Sequence, residues 1–104
     1  METVIEIYRV TRAFPADEKF GLISQLRRAA VSIPSNIAEG HGRIGAAEFR
    51  RFVSIARGSV AEVQTQLAVA VALGFVDVRE TASLLSRLDE LSKVLFGLYR
   101  GLGT

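Results

Sequence analysis

The chain has 104 residues and a mass of 11.3 kDa, room for one small core and too little for two, which excludes most multi-domain enzymes. Residues of the AVILMFWYC class make up 49% of it and charged residues 23%, with a mean hydropathy of +0.28, so it can bury a core and is too apolar for a disordered tail. Lys plus Arg is 13 against 11 Asp plus Glu, a net charge of +2 that permits an anionic partner without demanding one. Residues 1–57 hold nine basic and six acidic side chains while residues 58–104 hold four and five, so a phosphate-facing surface is expected in the first half.

The N-terminal run Met1 to Glu6 has acids where a signal peptide carries bases, and no apolar stretch follows, so neither secretion nor an anchor is expected and the chain reads as cytoplasmic. Apolar residues recur at helical spacing almost throughout, and nowhere alternate with period two for long enough to argue a strand. The spacing predicts a first helix over about Thr3 to Ala13, with Val4, Tyr8 and Thr11 on one side and Ile7, Val10 and Phe14 beside them, stopping before Pro15. Phe14 to Gly21 is the first connection. A second helix is expected from about Leu22 to Glu39, with Leu22, Leu26, Ala29, Ile33 and Ile37 inward and Gly40 as a left-handed cap. Pro34 lies inside it. The apolar stripe keeps its register across the proline, which favours a kinked helix over one that breaks and restarts at Ser32.

The third helix is expected over about Ala46 to Leu73, with Phe49, Phe52, Ala56, Val60, Val63, Leu67 and Ala70 inward and Gly74 as its stop. Its second half is apolar nearly all round. Leu67 to Val76, ten residues, is the longest uncharged apolar run and is about half a membrane span, so no membrane association is expected. Val69, Val71 and Leu73, with Phe75 just beyond, exceed what one buried side needs and form the expected oligomer interface. Asp77-Val78-Arg79-Glu80 has capping-box spacing and opens a fourth helix, in which Leu84, Leu88, Leu91, Leu95 and Leu98 repeat at alternating steps of four and three. Short connections between such helices give an all-α, antiparallel up-and-down four-helix bundle, one domain over residues 1–104.

Catalytic constellations are missing. Gly40-His41-Gly42-Arg43-Ile44-Gly45 matches the dinucleotide pattern G-x-G-x-x-G, but that pattern works between a strand and a helix, whereas a helix precedes it here and it reads as an interhelical turn. The free donors at the start of the third helix, beside Arg43, suit at most one backbone phosphate of a larger ligand. One histidine, His41, cannot supply the paired Glu-x-x-His sets of a di-metal bundle, and there is no cysteine for a thiolate or zinc site. Ser59 has no histidine near it in sequence and fits a small residue at a close helix contact. No catalytic residue, metal or cofactor is expected. Ser32 and Asn36 near the proline read as satisfied core polar groups.

Arginine remains. Eleven of the 13 basic residues are Arg, whose planar guanidinium grips phosphate with two prongs, although a G- and C-rich genome would also favour Arg over Lys. Folding the second and third helices about Gly42 puts Arg28 near the height of Arg57 and Asn36 near Phe49. Arg27, Arg28, Arg43, Arg50, Arg51 and Arg57 would then form a basic strip suited to nucleic acid. Solvated charges and ion pairs to Glu39, Glu48 or Glu62 are the competing reading.

Phe14-Pro15, Phe20-Gly21-Leu22 and the run Gln25 to Gly40, QLRRAAVSIPSNIAEG, resemble the bacterial four-helix bundle family, also called 23S rRNA intervening-sequence proteins. Glu48-Phe49, Arg51-Phe52, Ala56-Arg57-Gly58-Ser59, Glu62 and Gln66-Leu67 continue the likeness, which is close over Tyr8 to Gly74 and holds in pattern only for the fourth helix. The resemblance implies a bundle that assembles into a ring, usually a homopentamer. It also implies kinship with the accessory variability determinant of diversity-generating retroelements, a basic pentameric barrel that associates with reverse transcriptase and nucleic acid. The expected function is therefore non-enzymatic binding of structured RNA or a ribonucleoprotein. The alternative is a scaffold ring docking a protein partner such as a polymerase. Relative to the family the first helix is short, about 16 Å, and is expected to leave part of the groove between the second and third helices uncovered.

Overall fold

The computed structural model describes residues 1–103, in four helices: α1 (Glu2–Thr11), α2 (Leu22–His41), α3 (Ala46–Ala72) and α4 (Val78–Leu102). A single 3-10 turn, Ala16–Glu18, interrupts the first connection, and no strand occurs among the described residues. α2 packs against α3, α3 against α4, and α1 lies on α2 and α4, which closes the all-α four-helix bundle expected from the apolar periodicity. Ile7, Leu26, Val53, Val60, Val63, Leu67, Leu84 and Leu88 are almost completely buried and come from all four helices, so one continuous core holds the bundle together.

α2 runs unbroken through Pro34. The ring removes the amide that would serve the Ala30 carbonyl and crowds that turn. Side-chain donors supply the turns on either side: Ser32 Oγ donates to Ala29 O, Ser35 Oγ to Val31 O and Asn36 Nδ2 to Ser32 O, each at 2.8 Å. These bonds satisfy polar side chains next to the proline, as expected for Ser32 and Asn36.

The helix ends depart from expectation at one glycine and agree at another. Gly40 is not a left-handed cap; it is helical and buried, and α2 continues to His41. A Cβ on Gly40 would lie 2.6 Å from Phe52 Cβ, so glycine is needed there for the close approach of α3. Gly74 does take the left-handed conformation (φ 77°), with Phe75 N–H donating to Ala70 O and Gly74 N–H to Val71 O, the bond pair of a Schellman end. At α4, the Asp77 carboxylate accepts from the Arg79 amide at 2.8 Å and the Glu80 amide donates to the Asp77 carbonyl, in place of the reciprocal box with Glu80. Hydrogen bonds from the Arg79 side chain, then from its amide, hold the Asp77 carboxyl below its ordinary value of 3.8. This cap is therefore complete above the unfolded-state value and is lost as pH falls through the depressed one.

α1 lies over the seam between α2 and α4, not over the α2/α3 groove. Phe14 packs tilted against Phe75, ring centres 5.7 Å apart, at one end, and Glu2 faces Arg87 at 4.0 Å at the other. Past that level α4 has no α1 opposite it, and Val94 (63% exposed) and Leu98 (37%) stand in the open. Among the described residues no helix is long and apolar enough to cross a membrane.

Candidate nucleic-acid interface

The register of the α2/α3 hairpin decides which arginines meet. Ser32 Oγ and Ser59 Oγ share a hydrogen bond at 2.5 Å, and Gln66 Nε2 donates to Gln25 Oε1 at 3.4 Å. Arg28 accordingly shares a groove with Gln25, Glu62 and Gln66, and not with Arg57 as a hairpin folded about Gly42 would have it. The offset follows from Gly40: with α2 prolonged to His41 and Phe52 packed on that glycine, the two helices slide past each other. Ser59 is 7% exposed and also donates to Ile55 O at 3.3 Å, so Ser32 and Ser59 are bonded polar groups at the helix contact.

The six arginines fall into three groups. Arg27 belongs to the α1/α2 seam, where its guanidinium lies 4.5 Å from the centre of the Tyr8 ring while Nε donates to Thr11 Oγ1 at 2.9 Å. Arg28 is next to it on α2, in the groove with Glu62. Arg43 and Arg51 are committed to carboxylates, Glu39 at 2.7 Å and Glu48 at 2.9 Å, and both lie near the Phe52 ring. Arg50 and Arg57 belong to the α3/α4 seam. The Arg50 guanidinium stacks 3.8 Å over the Tyr99 ring and its Nε donates to Tyr99 O at 3.2 Å; Arg57 sits 4.6 Å from the Phe96 ring centre, with Arg100 at 5.8 Å. A single strip along α2 and α3 is therefore not formed, and the expected pairing with Glu39 and Glu48 removes two of its members.

What does form is a cationic seam between α3 and α4. Among the described residues Arg50, Arg57 and Arg100 have no carboxylate within 4 Å. Phe96, Tyr99 and Arg100 are absent from the basic strip expected from sequence, because the leucine heptad of α4 accounts for that helix without them. The signal for them is the spacing: Phe96, Tyr99 and Arg100 at steps of three and four share a side of α4.

The expected oligomer patch divides too. Val69 (44% exposed) and Leu73 (58%) are a turn apart on an open side of α3, whereas Val71 and Phe75 are partly buried against the protomer's own core, Phe75 through Phe14. His41 is the last residue of α2, not a loop residue, and meets Phe49 edge-on at 5.8 Å. Among the described residues no three His, Cys, Asp or Glu side chains gather as a metal set would require.

The family model for the 23S rRNA-intervening sequence protein matches residues 1–97. No curated protein matches this chain.

Proposed function

The chain belongs to the 23S rRNA-intervening sequence protein family, and from that premise we propose that it is a cytoplasmic, non-enzymatic, homo-oligomeric bundle that binds structured RNA or a ribonucleoprotein through surface arginines. The observation that carries this reading is that Arg50 and Arg57 lie on one seam, held against aromatic rings and, among the described residues, without carboxylate partners. Uncompensated guanidinium groups on a rigid helix pair attract phosphate without first breaking an ion pair. Arg28 adds a third charge on the hairpin; Arg27, Arg43 and Arg51 are tied to the protomer's own groups and contribute less.

The test is a titration of fluorescent structured RNA at several salt concentrations with the parent protein and the Arg28, Arg50, Arg57→Ala triple variant. The variant is expected to bind more weakly, with a log–log salt slope shallower by about one for each phosphate it no longer neutralises. Unchanged affinity and slope would sink the reading.

Assembly is part of the same proposal, with a pentameric ring and kinship to the accessory variability determinant as its finer form. Val69 and Leu73, exposed a turn apart, are the apolar surface that such an assembly would cover. Light scattering is expected to give a multiple of 11.3 kDa for the parent and the monomer mass for Leu73→Glu. A monomeric parent would remove the ring.

A protein-docking scaffold is the second reading, and one observation favours it. An open groove of about 690 Å³ between α1 and α2 is walled by Tyr8, Phe20, Ile23 and Val31 and rimmed by Arg27 and Arg28, an apolar floor with basic edges.

A further inference from the structure

The α3/α4 seam is built differently from a plain basic patch, because each of its arginines is laid against a ring. Arg50 is stacked on Tyr99 at 3.8 Å, tethered by the Tyr99 carbonyl and flanked by Gly103, where an added Cβ would stand 2.6 Å from its Nε, so its guanidinium is held in place. Two turns along α3, about 10 Å away, Arg57 meets Phe96, which is 41% exposed and is also approached by Arg100. Ser54 lies between the two arginines on α3, and the groove beside Arg57 is also lined by Ser92 and by the bare backbone of Gly58, where an added Cβ would meet nothing within 4 Å. The seam is a shallow groove of about 420 Å³, continuous through Ser54 and Tyr99 with a second of about 380 Å³ beside Arg50.

Point charges suffice to hold a duplex, whose bases hide their faces in the stack and present only backbone and groove edges. Guanidinium planes backed by aromatic rings offer something a duplex cannot use: flat surfaces on which an unstacked base can lie, with the positive charge placed for the adjoining phosphate. We propose that the α3/α4 seam is a site for unpaired RNA, taking a single-stranded base on the exposed Arg57–Phe96 pair, with Arg50 supplying charge for a phosphate of the same strand. This inference rests on the RNA-binding reading above and specifies which part of a structured RNA is bound: its loops, bulges or ends. The hydroxyls of Ser54 and Ser92 line the same groove and can bond sugar or phosphate oxygens.

The experiment separates charge from planarity. Arg57→Lys keeps the charge and loses the plane, and Phe96→Leu keeps an apolar side chain and loses the ring; both positions are exposed, so the fold is retained, which a thermal melt followed by circular dichroism verifies. Full-length parent and both variants are titrated against a short oligoadenylate and against a blunt RNA duplex with the same number of phosphates. The parent is expected to favour the single strand. Each variant is expected to lose about five- to a hundredfold in affinity for it, with duplex affinity and salt slope unchanged. Equal or tighter binding of the duplex by the parent, or single-strand binding that neither variant weakens, overturns the proposal. If the parent binds neither probe at low salt, the RNA reading itself fails, and this site with it.

Discussion

Replacing Leu88 with alanine is expected to lower the unfolding free energy by about 2–5 kcal/mol, a large fraction of the roughly 5–15 kcal/mol that holds a domain of this kind together. Leu88 is 0% exposed and lies in the part of α4 that faces α3 and is flanked by α1. Truncation removes the branched end of the side chain from a close-packed site, and a bundle of long helices cannot collapse locally to refill the space. Leu98→Ala is the companion measurement. The two residues repeat in the same leucine pattern, yet Leu98 is 37% exposed because α1 ends near the level of Arg87. Its truncation is expected to cost no more than about 1 kcal/mol. Urea unfolding of the three proteins in dilute solution gives both values, and equal losses would contradict the difference in burial between Leu88 and Leu98.

Gly40→Ala is expected to destabilise, by about 1–2 kcal/mol, where helix propensity taken alone predicts a gain. Alanine is favoured over glycine in a helix interior by about 1 kcal/mol. At Gly40 the new Cβ would stand 2.6 Å from Phe52 Cβ and 3.1 Å from Phe49 Cδ1. The nearer atom is bonded directly to the α3 backbone, so no rotamer change relieves the clash, and α2 and α3 must move apart along the largest contact in the fold. Gly97→Ala supplies the opposite sign. Gly97 lies inside α4, exposed, and an added Cβ would touch nothing within 4 Å, so the substitution is expected to stabilise by about 0.5–1 kcal/mol. Thermal unfolding of both variants decides the matter: a stabilised Gly40→Ala would mean that the α2/α3 contact is looser than the 2.6 Å approach implies.

Much of this bundle is legible in the residues. Apolar spacing of three and four marks every helix and nearly all of the core, since a helix must bury one stripe and the sequence is what writes that stripe. Pro34 reads as interior to α2, as it is, because the stripe does not change phase there. Gly74 is legible as a stop and Asp77 as a cap, since both act through the backbone of their own few residues.

The candidate site is legible as composition and not as arrangement. Counting turns places Arg50 and Arg57 on one side of α3, but their partners, Tyr99 and Phe96, lie more than thirty residues away and belong to a helix whose leucine repeat gives no reason to look further. Folding the hairpin about Gly42 sets Arg28 near the height of Arg57; in fact Phe52 packs on Gly40 and α2 goes on to His41, so the register is different. Helical period, caps and the family are local or cumulative properties of the chain, and these the sequence determines by itself. Which arginine meets a carboxylate, which a ring and which neither depends on how far two helices slide along each other, and only the packing of Phe52 onto Gly40 and of α4 onto α3 decides that. Such a slide leaves every periodicity intact and changes the neighbour of each surface charge.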